Sequence, residues 1–264
     1  MLKIVKYLSI NLSLCAFLLT PNFEAQAECI PGADDPCAPK KIKGAWDNSV
    51  SLGFNKTQGN SETTLLNLGI KADKDDGNDI YSLSGAYGFG EDKNVINAKG
   101  DNTTVNNARG NGRLDHLMSE RSFFGLGTSI LYDEMADIDY RWTIDPGLGY
   151  YFLKDNSFKF RAEAGPSYVF EKIGNVKNDF IAPRIADRFE WAITCTSKIF
   201  QAADALIDID DTDKYLINAE VGAEAALSTN LALVFTVREI YNSVPAAGKE
   251  KDDLQVITAI KASF

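Results

Sequence analysis

The residues that could carry catalysis are few. The chain contains a single histidine, His116, whose neighbours are Asp115 and Leu117. A serine hydrolase needs a hydroxyl nucleophile beside a histidine and an orienting partner, and the Gly-X-Ser-X-Gly sequence does not occur. By the alternation described below, His116 points away from the face that carries Asp115. We therefore expect no enzymatic activity and no catalytic residue.

Two acidic runs could hold a divalent cation. They lie at residues 73–79 and 208–213. The first lacks the glutamate that closes a twelve-residue calcium loop, because Leu83 or Ser84 stands at that position. We interpret both runs as solvated turns. The alternative is a loosely held cation that bridges loops or lipopolysaccharide. We predict no metal site and no cofactor.

The first 27 residues predict a secretory signal peptide. Two lysines precede an apolar core at residues 7–20, and Ala25 and Ala27 form a small-X-small cleavage site. The core is too short to span a membrane. Cleavage near Ala27 would leave residues 28–43 as a periplasmic leader.

Export implies an oxidising compartment for the remaining cysteines. Cys29 and Cys37 flank a short segment rich in proline, glycine and aspartate that can bend back on itself. We predict a disulfide between them, with two free thiols as the alternative. Cys195 is interpreted as a small apolar residue near a turn rather than a nucleophile.

From residue 44 onward, apolar and polar residues alternate with period two. This pattern predicts that β-strands position the residues discussed above. Apolar residues spaced three and four apart, which would indicate amphipathic helices, are almost absent. Alternation is clearest at 140–152, 158–170 and 254–264, and clusters of turn residues separate such segments. The predicted strands lie near 45–57, 63–73, 79–90, 103–118, 121–133, 138–153, 157–171, 180–193, 196–208, 214–227, 231–242 and 253–264.

Composition narrows the class of protein further. The 264 residues include 27 basic and 37 acidic side chains, which gives a net charge of -10, and 45% are hydrophobic. Such a chain is too apolar for intrinsic disorder. Its acidity argues against a nucleic-acid partner, which requires a basic surface. The length suits one all-β domain.

Three features favour a membrane barrel over a soluble sandwich. The strands are longer than the usual 5–6 residues and match the 9–11 needed by a tilted membrane strand. Aromatic residues crowd both ends of the apolar faces, as in outer-membrane barrels. Loop lengths alternate, with longer connections at 91–102, 172–179 and 243–252. We predict an all-β transmembrane antiparallel barrel of about twelve strands with up-and-down topology, over residues 44–264.

Four residues interrupt the alternating pattern. Pro146 and Pro166 lie within strands, which predicts a kink or a bulge at each. Asp187 and Glu239 fall on the apolar face. For each of these acids we predict a bulge or a slip in parity rather than a buried charge.

Several segments resemble known outer-membrane proteins. The terminal Phe264, behind alternating apolar residues, resembles the C-terminal assembly signal of bacterial outer-membrane proteins. The chain also resembles a family of outer-membrane proteins of unknown function described as salt-induced. The matching pieces are 50–64, 132–152, 162–173, 188–194 and 241–264.

The resemblance implies a single barrel in the bacterial outer membrane, inserted by the barrel-assembly machinery and surrounded by lipid. It transfers no activity and no functional residues, and the leader at 28–43 lies outside the family pattern. We expect a monomer.

The face opposite the apolar residues would line the interior of the barrel. Its predicted basic residues are Lys71, Arg109, Arg113, Arg141, Lys159, Arg161, Arg184, Arg188, Arg238 and Lys261. Its predicted acidic residues are Asp47, Asp115, Asp145, Glu163, Glu190, Glu220 and Glu224. This excess of basic residues would favour anions. Small residues of the first, fifth and sixth strands, among them Gly125 and Gly149, would leave room for water.

The sequence therefore predicts a narrow passive channel for small anionic or neutral solutes. Its anion preference would come from Arg141, Arg161, Arg184, Arg188 and Arg238. These arginines would be held by pairing with Glu163, Glu190, Glu220 and Glu224. The alternative is a non-conducting structural or envelope-stress barrel with a plugged lumen. Twelve strands fall between barrels filled by side chains and barrels with a water channel, so the strand number leaves both open.

Overall fold

The computed structural model describes residues 44–56, 63–97, 100–155 and 157–264. The predicted signal peptide, the leader and the Cys29–Cys37 disulfide lie outside these ranges. Among the described residues, no helix is long and apolar enough to cross a membrane.

The described residues form twelve β-strands, as the alternation predicts. Their boundaries agree with the predicted ones to within a few residues, and the largest difference is at the start of the eighth strand. The strands are β1 (Trp46–Lys56), β2 (Thr63–Asp75), β3 (Asp79–Asp92), β4 (Thr103–Leu117), β5 (Ser122–Asp133), β6 (Ile138–Lys154), β7 (Phe158–Ile173), β8 (Val176–Thr194), β9 (Ser197–Ile207), β10 (Tyr215–Ala226), β11 (Leu231–Asn242) and β12 (Asp252–Ser263).

The strands close into a single barrel. Each strand pairs antiparallel with its sequence neighbours, and β1 pairs with β12 to complete the circle. This seam is short: its Cα register runs from Ser49–Ser263 to Leu52–Ile260. Beyond it, the backbones of Asn48 and Phe264 exchange hydrogen bonds of 3.0 and 3.3 Å. The predicted twelve-stranded antiparallel all-β barrel is thereby confirmed.

The two ends of the barrel differ. One, called here the short-turn end, carries the connections 76–78, 118–121, 155–157, 195–196 and 227–230. The other, called the long-loop end, carries the connections between β1 and β2 and between β3 and β4, and the segments 134–137, 174–175, 208–214 and 243–251.

The long loop predicted at 172–179 was wrong. The strands β7 and β8 continue to Ile173 and from Val176, so only Gly174 and Asn175 connect them. Gly174 has φ +57°, a conformation that glycine adopts without a steric penalty. The glycine thus permits a tight hairpin where the polar sequence suggested a loop.

The prolines within strands do not produce bulges. Cα pairing between β6 and β7 stops after Ile144–Tyr168 and resumes at Leu148–Ala164 in the same register. Pro146 lies in this gap, where a Cβ on Gly165 would be only 2.1 Å from the Pro146 carbonyl oxygen. The glycine allows this close approach. Pro166 pairs in register with Pro183 of β8.

The bulges predicted at Asp187 and Glu239 were also wrong. Asp187 pairs in register with Ala162 and Ala203, and Glu239 lies near the long-loop end of β11 in a similarly regular ladder. Both carboxylates therefore stand on the outer face. A carboxylate near the end of a strand can reach water, so Glu239 can lie on the outer face without a β-bulge. Asp187 is half-buried on the side of the sheet that carries Gln201.

The outer face of the barrel is apolar and exposed. Large side chains with 61–67% exposure include Phe54, Ile70, Leu148 and Ile185. Aromatic rings pair near the short-turn end, as in Phe158–Trp191 at 5.5 Å. Others pair near the long-loop end, as in Tyr215–Tyr241 at 5.4 Å.

Candidate functional site: the barrel interior

Ion pairs between strands that are not neighbours identify the inner face. Arg113 of β4 binds Glu163 of β7, and Arg161 of β7 binds Asp115 of β4. Since β5 and β6 lie between these strands in the sheet, such contacts cross the interior. The alternation of side chains along each strand then places the other inward residues.

Five charged residues form one connected group, called here the crossing network: Arg113, Asp115, Arg161, Glu163 and Arg184. Arg113 Nη1 donates to Glu163 Oε1 at 2.9 Å, and its Nη2 lies 2.6 Å from Asp115 Oδ1. Arg184 and Arg161 each donate at 2.5 Å, to Glu163 and Asp115 respectively. Asp115 is only 2% exposed. Charge-assisted bonds of this kind are stronger than neutral ones, so they join β4, β7 and β8 through the interior.

Aromatic rings pack against the crossing network. Phe123 is fully buried, and the guanidinium carbons of Arg161 and Arg113 lie 5.4 and 5.9 Å from its ring centroid. Tyr151 packs on the same ring at 5.3 Å. These distances fall within the range of cation–π contacts. The rings and the guanidinium groups together fill this part of the barrel.

Gly125 of β5 and Gly149 of β6 make room for these side chains, and not for water as predicted. A Cβ on Gly125 would lie 2.5 Å from Arg113 Nη2 and 2.9 Å from Asp115 Oδ1. A Cβ on Gly149 would lie 2.1 Å from the Phe123 ring. The prediction failed because large side chains of β4 and β5 lie over the glycines.

The five arginines predicted to attract anions all have carboxylate partners. Arg184–Glu163, Arg188–Glu190 and Arg238–Glu220 use predicted glutamates, the last two at 2.8 and 3.1 Å. The other two arginines have partners that were not predicted. Arg161 binds Asp115, and Arg141 Nε donates to Glu171 Oε2 at 2.7 Å. The remaining predicted acid, Glu224, binds Lys261 and Lys198.

The interior is not the basic surface that the sequence predicted. Strand register also places Lys198, Asp73, Asp133, Glu171 and Asp204 on the inner face. Register also places Lys154, Asp253 and the strand-end acids Asp75 and Asp92 on this face, so acidic side chains are at least as numerous as basic ones. Three of the acidic residues that the sequence analysis did not assign to the interior, Asp73, Asp133 and Glu171, lie near strand ends. There the alternation is too short to show which face a residue occupies. Asp204 lies in β9, whose alternation is the weakest. Its burial beside Asn218, at 3.0 Å, shows its inward direction.

The filling of the interior is uneven. Gly125, Gly127 and Ser167 face inward from β5 and β7 and are buried. Ala86 and Asn111 face inward from β3 and β4 and are exposed. The side chain of Lys71 on β2, beside Asp73, is 48% exposed. The interior is therefore packed beside β5–β8 and more open around Lys71, Ala86 and Asn111 of β2–β4, whereas Gly88 and Gly90 of β3 and Asp115 of β4 are buried.

A recess opens at the short-turn end. Its volume is about 610 Å³, and residues of the turns 76–78 and 118–121 line it together with Leu117 and Lys154. The Lys154 ammonium lies 5.0 Å from the Tyr151 ring centroid. The recess thus begins next to the aromatic residues that pack on the crossing network.

The residues considered for catalysis and metal binding have structural contacts. His116 Nδ1 lies 2.8 Å from Asp79 Oδ1 near the short-turn end. In the acidic runs, Asp75 and Asp208 accept hydrogen bonds from the backbone of Gly77 and Asp210. Within the ranges that the structure describes, no group of three or more histidine, cysteine or acidic residues is arranged to hold a metal ion. Cys195 lies exposed in the β8–β9 turn.

Known structures share this fold. The outer membrane channel from Pseudomonas putida F1 superposes with a TM-score of 0.52 and 11% identity, over 85% of this chain and 97% of that one. The NanC porin superposes with a TM-score of 0.50 and 8% identity, over 83% of this chain and 99% of that one.

A search of curated protein sequences found no match. The family described as "Protein of unknown function, DUF481" matches residues 50–264. Since this match covers most of the chain and nearly all of the barrel, the chain belongs to that family.

Proposed function

We propose that this chain is a bacterial outer-membrane barrel. The exposed apolar outer face and its aromatic ends suit a lipid bilayer and would be unfavourable in water. The channel and the porin that share its fold act as precedents. The proposal includes export by the predicted signal peptide, insertion by the barrel-assembly machinery and a monomeric state. Induction by salt stays a prediction.

We further propose that small anionic or neutral solutes pass through the barrel without energy input. The observation that carries this proposal is the contrast between neighbouring parts of the interior: Ala86 of β3 and Asn111 of β4 are exposed, whereas Gly125 and Gly127 of the adjacent strand β5 are buried. Solutes would pass along β2–β4, beside the crossing network. The width of this path limits the size of the solute.

A second candidate function is supported by the crossing network itself. Arg113 and Glu163 join β4 and β7, which lie three strands apart in the sheet, and Phe123 is fully buried beside them. A barrel braced in this way could serve the envelope as a non-conducting structural element. The two candidates differ in whether water is continuous along β2–β4.

Single-channel recording separates the two candidates. The refolded protein would be inserted into planar bilayers, with circular dichroism as the check that the strands have formed. Steady conductance steps are expected for the channel. Silence from a folded barrel would contradict the channel and leave the structural role.

A further inference from the structure

One interior arginine differs from the others. Arg109 lies on β4 between Ala86 of β3 and Leu131 of β5, on the face that carries Asn111 and Arg113. Among inward-facing arginines and lysines of the described strands, Arg109, Lys154 and Lys159 form no ion pair, and Lys154 instead donates to the backbone oxygen of Glu120 at 2.6 Å. The Arg109 side chain also donates no hydrogen bond to any described residue.

Arg109 stands close to the middle of its strand and faces several walls. It interacts electrostatically with Arg238 of β11, Glu220 of β10, and Asp133 and Asp204 of β5 and β9. None of these carboxylates comes within 4 Å of the Arg109 guanidinium. Glu220 is instead bound to Arg238 at 3.1 Å. The donors of Arg109 are thus left available, with a second guanidinium nearby.

Lys159, another interior cation without an ion pair, lies at a different height in the barrel. It is the second residue of β7, at the short-turn end, and pairs in register with Glu190 of β8. A charge at this position acts on the mouth of the barrel. Arg109, in contrast, acts near its middle, beside the open side of the interior.

We propose that Arg109 is the residue that sets the solute preference of the channel, by binding small oxyanions as they pass. The inference rests on the proposed channel function. A guanidinium offers a planar fork of donors that matches the two oxygens of a carboxylate or phosphate. Arg238 adds a second positive charge, while Glu220 keeps that charge partly neutralised. An oxyanion at Arg109 would complete its hydrogen bonds.

The test compares Arg109→Gln with Lys159→Gln, because each removes one interior cation that has no ion pair. Reversal potentials would be measured in planar bilayers under a potassium chloride gradient. A unit charge about 4 Å from an ion in water contributes about fivefold to its distribution. We expect Arg109→Gln to lower the chloride-to-potassium permeability ratio at least about threefold, and Lys159→Gln to lower it less.

A third variant, Arg109→Lys, separates charge from the guanidinium fork. Inorganic phosphate at millimolar concentration should reduce the wild-type chloride current. Arg109→Lys should keep the chloride preference but lose most of this block. Equal block in wild type and Arg109→Lys would overturn the role of the fork.

The outcomes distinguish the inference from the function on which it rests. Conducting channels with the same permeability ratio in wild type and Arg109→Gln would overturn the inference and keep the channel. An equal change in Lys159→Gln would also overturn it, since diffuse charge would then suffice. Absence of wild-type current in a folded barrel would overturn the channel, and with it the inference.

Discussion

Glu163 illustrates how one buried side chain can join several strands. It accepts hydrogen bonds from Arg113 of β4 and Arg184 of β8, and the three side chains are 9–18% exposed. Glu163→Gln would leave two buried guanidinium groups without their shared anion. We expect a loss of about 3 kcal/mol in the free energy of unfolding, as when one partner of a buried ion pair is removed. Urea unfolding followed by tryptophan fluorescence would measure it.

The matched control is Glu190→Gln. Glu190 binds Arg188, and both side chains are 35% exposed, so water screens the pair. We expect its removal to cost at most about 1 kcal/mol. Equal losses for the two variants would contradict the view that the crossing network is a packed part of the interior.

Gly149 provides a second test of packing at the level of one residue. A Cβ there would meet the fully buried Phe123 ring at 2.1 Å, so Gly149→Ala must displace the ring. We expect destabilisation of about 1–3 kcal/mol, typical of overpacking. Gly127→Ala is the control, because its nearest contact is an ordinary 3.5 Å to Asp145 Cβ. Thermal unfolding of both variants in detergent would compare them, and a larger effect at Gly127 would refute the packing.

The alternation of residues predicts direction for single side chains but not their partners. That Arg161 and Glu163 face inward follows from their spacing within β7. Their partners, Asp115 and Arg113, cannot be predicted from this spacing, because β4 and β7 approach only after the barrel closes. For the same reason the sequence indicated space at Gly149, which Phe123 in fact fills.

At the scale of the strand, the seam between β1 and β12 closes the barrel by pairing its first and last strands. Its register has only the pairs between Ser49–Ser263 and Leu52–Ile260, and the backbone of Phe264 extends it to Asn48. The Phe264 side chain is 74% exposed and adds little to this joint. The backbone of Phe264 contributes to closure, and we propose a separate role for its ring in recognition by the assembly machinery.

The variant Phe264→Ala separates these roles. It keeps the backbone bonds to Asn48, so urea unfolding of protein refolded in detergent should change by less than about 0.5 kcal/mol. In cells, the amount of folded barrel in the outer membrane should fall several-fold if the ring of Phe264 is part of the proposed assembly signal. Deletion of Phe264 removes both backbone bonds and should lower stability as well. Normal cellular yield of Phe264→Ala would contradict the signal.

Strand boundaries were predictable because alternation and turn residues are local signals. The sequence located β5 and β11 to within a residue, whereas β8 begins earlier than predicted, at Val176. The polar run around Gly174 looks like a loop, but its backbone continues the ladder to the hairpin. Pro146 was likewise readable as an interruption. The return of the β6–β7 ladder to the same register beyond Pro146 could not be predicted, because it depends on the close approach of Gly165 from the neighbouring strand.

At the scale of the whole molecule, the interior combines a packed side and an open side. Twelve strands enclose more volume than an eight-stranded barrel, which side chains fill, and less than the large porins, which leave a channel. The side chains of β4–β8 take up part of this volume. What remains beside β2–β4 should be narrow. This division could not be predicted from strand number or from the count of charged residues, since both describe the barrel as if it were uniform.

The division predicts a sharp limit on solute size, which swelling of protein-containing liposomes can measure with neutral sugars. The pentose arabinose should enter, whereas the trisaccharide raffinose should be excluded by Arg113, Phe123 and the rest of the packed side. Phe123→Ala removes the ring at the centre of this packing, and in a folded variant the rate for a disaccharide should rise. Equal entry of arabinose and raffinose into wild-type liposomes would show that the interior is wider than described. Exclusion of both sugars would instead favour the non-conducting barrel, because neutral solutes report the open path without depending on the charges of Arg109 or its neighbours.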